Sequence, residues 1–178
     1  MFAFEWNTSS LSCSFRNKEI VDIVNLEINQ DLEDRDVKNE SRNSGEIDFT
    51  GRYKMMKSEN FDKFLEELGV GFLQRTIANR AHPDYEITRN GDTYKLKTIS
   101  EFKTSEINFK LNGEEFEENR LDGLRVKATI VQKGNKWIHK QISDRNLVTI
   151  IREFKDDTIR VTGALNNVAF VRIYKKVK

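Results

Sequence analysis

The sequence predicts an all-β protein, a ten-stranded antiparallel up-and-down β-barrel that carries a helix-turn-helix lid after its first strand. Three observations predict it. Short β-rich segments follow one another from Tyr85 to the end of the chain. Pieces rich in Asn, Asp and Gly separate them. One strongly helical pattern interrupts the series, directly after an opening strand.

The opening strand is expected around Phe49–Lys57. Phe61, Phe64, Leu65 and Leu68 then fall at i, i+3, i+4 and i+7, with Asp62, Lys63, Glu66 and Glu67 between them, which is the stripe of an amphipathic helix. Ser58 and Asn60 are candidate caps at its start, and Gly69 stops it. A second short helix is expected from Phe72 to Arg80, closed by Pro83. Beyond it, Tyr85–Arg89 and Thr93–Ile99 flank Asn90-Gly91, a hairpin signal. Further strands are expected at Glu101–Leu111, Glu114–Glu118, Leu124–Gln132, Lys136–Ser143, Leu147–Lys155, Thr158–Ala164 and Val168–Val177. The connections are short, so neighbours should pair antiparallel.

Composition changes near residue 47. Residues 1–46 hold ten acids and five bases, a charge of −5, and the remaining nineteen acids and twenty-five bases give residues 47–178 a charge of +6. Residues 29–46 are almost free of large apolar groups, so residues 1–46 are expected to be an acidic, disordered extension and 47–178 the folded domain. Val21, Val24, Ile28 and Leu32 have helical spacing; a short amphipathic helix that docks is one reading, and a transient helix in the extension is the preferred one.

Several function classes lose support. Cys13 is the single cysteine, which fits a reducing compartment and permits no intramolecular disulfide. The N-terminal Met1-Phe2-Ala3-Phe4-Glu5-Trp6 lacks a basic region and a continuous apolar run, so no secretory leader is expected, and the expected location is cytoplasmic. The basic residues do not cluster as in a nucleic-acid binder. The two histidines, His82 in a loop and His139 on a strand, form no nucleophile–base pair or metal-ligand spacing, so neither an enzyme, nor a metal, nor a cofactor is expected.

Gly51-Arg52-Tyr53-Lys54, Ser58-Glu59-Asn60-Phe61-Asp62, Leu68-Gly69-Val70-Gly71-Phe72, Phe102-Lys103-Thr104-Ser105-Glu106, Glu115-Phe116-Glu117-Glu118 and Val171-Arg172-Ile173-Tyr174 stand in one order and spacing over residues 47–178. In that order they resemble the intracellular fatty-acid-binding protein family, whose fold is a β-clam. The Gly-Arg-Tyr-Lys start and Ile151-Arg152-Glu153-Phe154 look most like arthropod members, including mite allergen-type proteins. Tyr53 stands where the family has Trp, which keeps an aromatic ring but loses an indole donor. The resemblance does not extend to residues 1–46.

What the resemblance implies is a monomeric carrier of a long-chain fatty acid. Its carboxylate would be held by Arg152, Arg172 and Tyr174, its tail would pass Phe61, and the portal would be rimmed by Ala78, Phe102 and Asp122. The chemistry suits those residue types. A tail of about sixteen carbons has roughly 10 kcal/mol of transfer energy at ~0.8 kcal/mol per CH₂. A buried carboxylate needs charged and neutral donors, which Arg and Tyr supply. Arg172 and Tyr174, two apart on a strand, share a face. Pattern alone does not say which face is inside, because Leu147, Ile151, Val171 and Ile173 make the opposite faces apolar too. A retinoid or a bile acid would satisfy the same cluster. Arg75 and Arg80 on the second helix are candidates for transient contact with anionic membrane.

Overall fold

The computed structural model describes residues 18–22, 24–26 and 47–177. Ten strands follow in chain order: β1 (Gly51–Glu59), β2 (Asp84–Asn90), β3 (Thr93–Ile99), β4 (Thr104–Lys110), β5 (Phe116–Asn119), β6 (Arg125–Lys133), β7 (Lys136–Ile142), β8 (Leu147–Lys155), β9 (Thr158–Leu165) and β10 (Val168–Lys176). A helical segment, α1, is present at residues 18–22 and 24–26. The lid helices α2 (Phe61–Glu67) and α3 (Phe72–Arg80) lie between β1 and β2, as expected from the sequence.

Every sequential pair of strands from β1 to β4 and from β5 to β10 is antiparallel, and β1 also pairs with β10. The sheet order is β4-β3-β2-β1-β10-β9-β8-β7-β6-β5, a barrel that is nearly closed, with β4 and β5 at its two edges. Phe109 of β4 and Phe116 of β5 stack across that gap, ring centroids 6.0 Å apart. The hairpins explain the register. Lys155 aligns with Thr158 and Leu165 with Val168, so each loop has two residues, and the first of each, Asp156 or Asn166, has positive φ. Such turns match the right-handed twist of the strands they join.

Several strand starts shift from the sequence pattern, and two of the shifts have a side-chain cause. Glu101 was expected to open β4, but Ser100 Oγ accepts from the Phe102 and Lys103 amides and holds residues 100–103 in a turn. Similarly, Asn112 Oδ1 accepts from the Glu114 amide, so β5 begins only at Phe116. Neither expected cap holds the lid. Asn60 sits at the start of α2 with φ 59° but reaches across to the Ala169 carbonyl at 2.6 Å, and Ser58 turns to Arg172. Gly69, with φ 87°, does end α2.

The core runs through the barrel. Phe49 packs against Tyr94, Trp137 and Phe154 at one end. Phe61 and Phe64 of the lid pack edge-on against Phe170 at the other. Tyr53 is buried, and its hydroxyl donates to the Phe49 carbonyl at 3.2 Å. Most of the extension, including residues 29–46, lies outside the described residues. Within it, α1 departs from the expected transient helix: Val21 and Val24 are buried against Ile151, Ala164 and Ala169, on the outside of the barrel wall.

Candidate functional site

Alternation along β7–β10 sets what faces inward. Trp137, His139 and Gln141 of β7, Val148, Ile150, Arg152 and Phe154 of β8, Ile159 and Val161 of β9, and Phe170, Arg172 and Tyr174 of β10 share the inner side. The register then does what sequence distance hides. Val161 of β9 aligns with Arg172 on one side and with Arg152 on the other. Two strand spacings therefore separate the two arginine Cα atoms, about 9–10 Å. Both side chains line one cavity of about 350 Å³ beneath the lid, together with Phe61, Leu96, Ile107 and Phe170.

Both guanidinium groups are buried, and among the described residues neither has a carboxylate within 4.0 Å. Arg172 donates through Nε to Ser58 Oγ at 3.1 Å, and its Cζ lies 3.4 Å from the centroid of the Phe61 ring. Arg152 Nη1 lies 3.2 Å from His139 Nδ1, its Cζ lies 5.7 Å from the Tyr85 ring, and its Nε has no hydrogen-bond partner among the described residues. Because guanidinium only donates, His139 Nδ1 is the acceptor and Nε2 carries the proton of a neutral ring. Nε2 lies 3.1 Å from Glu118 Oε2, too far off axis for a good hydrogen bond, and Gln141 donates to the other carboxylate oxygen. Burial holds the His139 pKa below its ordinary value; Glu118 opposes that and Arg152 adds to it.

Tyr174 is brought to the same region but does not line the cavity itself. It stacks on Tyr85, ring centroids 4.2 Å apart, and Tyr85 is the ring that faces the cavity. The Tyr174 hydroxyl is buried without a hydrogen-bond partner among the described residues. Burial first, then the neighbouring Tyr85, pushes its pKa well above 10, with Arg172 opposing. It therefore stays a neutral donor at any physiological pH.

Phe61 lines the cavity. The residues expected at the portal stand outside that lining. Ala78 is half-buried and packs against the main core, Phe102 is 59% exposed, and Asp122 is turned into an ion pair with Arg120 at 2.6 Å. Their neighbours Lys103, Arg120 and Leu121 reach the cavity instead, so Phe102 and Asp122 belong to the two turns at its mouth rather than to its lining. On α3, Arg75 is engaged by Glu66 at 2.7 Å and Asp62 at 3.6 Å, while Phe72 and Leu73 are 73% and 71% exposed. Sequence reasoning missed Glu118, Gln141 and Tyr85. Gln141 carried a signal, since it shares the face of Trp137 and His139; Tyr85 and Glu118 carried none, because their neighbours come from distant strands.

The profile of the lipocalin / cytosolic fatty-acid binding protein family matches residues 50–177. The chain belongs to that family. A fatty acid-binding protein of Lepidoglyphus destructor is 51% identical over 127 residues, 71% of this chain and 95% of its own length. Among solved structures, the fatty acid-binding protein from brain tissue of Drosophila melanogaster superposes with a TM-score of 0.69 at 49% identity, covering 72% of this chain and 99% of its own. A fatty acid-binding protein of Schistosoma mansoni, solved with arachidonic acid, superposes with a TM-score of 0.70 at 34% identity, covering 73% and 96%. Members of the family are lipid-binding carriers rather than enzymes, and His139 fits that setting as a strand residue hydrogen-bonded to Arg152.

Proposed function

We propose that residues 47–178 bind a long-chain fatty acid in the cavity and carry it through the cytosol as a monomer, with the carboxylate between Arg152 and Arg172. The single observation that carries this reading is the pair of buried guanidinium groups flanking Val161, neither with a carboxylate partner. Two buried cations left without counter-charge are costly to the fold, and an entering carboxylate relieves that cost. Tyr174, stacked behind Tyr85, does not face the cavity, so the two arginines carry the carboxylate. The tail lies along Leu96, Ile107, Ile150 and Phe170 beneath Phe61. The Schistosoma mansoni relative, 34% identical to this chain, is in complex with arachidonic acid, an acidic lipid.

Delivery to an anionic membrane runs through α3. Arg75 is occupied by two carboxylates, so the exposed Phe72, Leu73 and Ile77 make the contact, with Arg80 as the nearby cation.

The binding reading is tested by displacing a fluorescent fatty acid from delipidated protein with a long-chain fatty acid, the matching fatty alcohol, a retinoic acid and a bile acid. Strongest displacement by the fatty acid, with the alcohol far weaker, supports it. Preferential displacement by the retinoid or bile acid reassigns the ligand, and equal displacement by acid and alcohol removes the role of the arginines.

A further inference from the structure

The outer face of a barrel strand ordinarily meets water and is polar. On one stretch of β8–β10 it is not. Ile151, Ala164 and Ala169 point outward, on the side opposite Arg152, Val161 and Arg172, and Ala164 aligns with Ala169 across β9 and β10. All three are buried, and they form an apolar cluster with Val21 and Val24 of α1, separate from the barrel core. Thr162 and Val171, outward on the same strands, are buried too.

The fit is specific in shape. Two alanines let a helix approach the sheet closely. Val21 and Val24 are three apart and so share one side of α1, while Leu26 is 60% exposed. Helices this short are marginal in water on their own, below about 12–15 residues, so α1 is helical because it is seated. It lies outside the span that matches the family, and twenty residues, 27–46, join it to the barrel domain.

We propose that the outer wall of β8–β10 is an external docking surface for a short amphipathic helix, that α1 is its occupant, and that α1 is a releasable cover. Seated, it closes the wall. Released, it unfolds and uncovers an apolar strip that accepts a helix with two aliphatic side chains three residues apart. This surface is distinct from the lipid cavity and does not depend on the ligand.

The test uses the full chain and amide hydrogen exchange of residues 18–26. Val24→Asp attacks the seat from the helix, Ala164→Leu attacks it from the wall, and Leu26→Asp is the exposed-face control. Near-ultraviolet circular dichroism verifies that each barrel is folded. Residues 18–26 should be protected in the parent chain and in Leu26→Asp. In Val24→Asp and Ala164→Leu that protection should be lost, while the β8–β10 amides keep theirs. A peptide spanning residues 18–28, added to millimolar concentration, should shift the resonances of Ile151, Ala164 and Ala169 in the Val24→Asp chain and leave those of Leu26→Asp unmoved. Exchange at unstructured rates in the parent chain, or protection that survives both seat variants, overturns the docked cover. A wall that the peptide does not shift in Val24→Asp overturns the docking surface.

Discussion

Arg172→Gln separates a carboxylate-binding cavity from a merely apolar one. Arg172 is buried, bonded to Ser58 Oγ at 3.1 Å and covered by the Phe61 ring at 3.4 Å, with no carboxylate within 4.0 Å among the described residues. A fatty-acid carboxylate placed there gains a charge-assisted hydrogen bond worth about 1.5–3 kcal/mol. Glutamine keeps a donor and a similar shape but removes the charge, so the dissociation constant for the acid should rise about 10- to 150-fold, at about 1.4 kcal/mol per decade. The assay is a displacement titration of the delipidated chain with a long-chain acid and its alcohol, in parallel. The alcohol, which has no charge for Arg172 to meet, should be unaffected. Thermal unfolding of the ligand-free variant is a second readout. A buried cation without counter-charge destabilises the fold, so the midpoint should hold or rise. Acid and alcohol weakening together would refute the reasoning, because the substitution would then act through Phe61 and the lid. Unchanged affinity for the acid would refute it more simply.

Other expectations follow from single contacts. His139 is held neutral, with its pKa below 6.5 in the fold. Below about pH 6.5 the unfolded imidazole binds a proton that the folded one refuses, so stability falls as pH drops through that window. His139→Gln should flatten the slope of urea-unfolding free energy between about pH 6.5 and the carboxylate range, and an unchanged slope would clear His139. A methyl group on Gly163 would meet Phe170 Cε1 at 2.1 Å. Gly163→Ala should therefore displace Phe170 from Phe61 and Phe64 and destabilise the barrel by about 1–3 kcal/mol, read as a lower denaturant midpoint. A double Phe72→Ser and Leu73→Ser variant should bind fatty acid normally yet transfer it more slowly to anionic vesicles in a fluorescence-quenching assay. An undiminished rate would place membrane contact elsewhere.

Much of the fold was written locally. Period-two alternation and the turn residues at Gly91, Gly134, Asp156 and Asn166 marked the strands, and the stripe Phe61, Phe64, Leu65 and Leu68 marked the lid. These signals depend on neighbours within a few residues, which is why they are readable one strand at a time. The errors were local competitions decided by a side chain, such as Ser100 taking over the start of β4.

The site was legible as residue types and not as geometry. Arg172 and Tyr174 share a face by spacing, but Ile151, Val171 and Ile173 make the other face equally apolar, so inside and outside could not be told apart. The structure removes that ambiguity: the curled sheet and the lid put Phe170 and Arg172 around the cavity, and α1 covers Ile151, Ala164 and Ala169 on the outer wall. Tertiary register alone places Arg152 and Arg172 on either side of Val161 and sets Ser58 against Arg172, 114 residues away in sequence. It also pairs Asp122 with Arg120 at the cavity mouth and stacks Tyr85 on Tyr174, so that Tyr85 and not Tyr174 faces the cavity. Local patterns set the strands, the lid and the presence of cations suited to a carboxylate. Which side chains meet is left to the nearly closed barrel, because each of those meetings is between strands whose alignment no local pattern specifies.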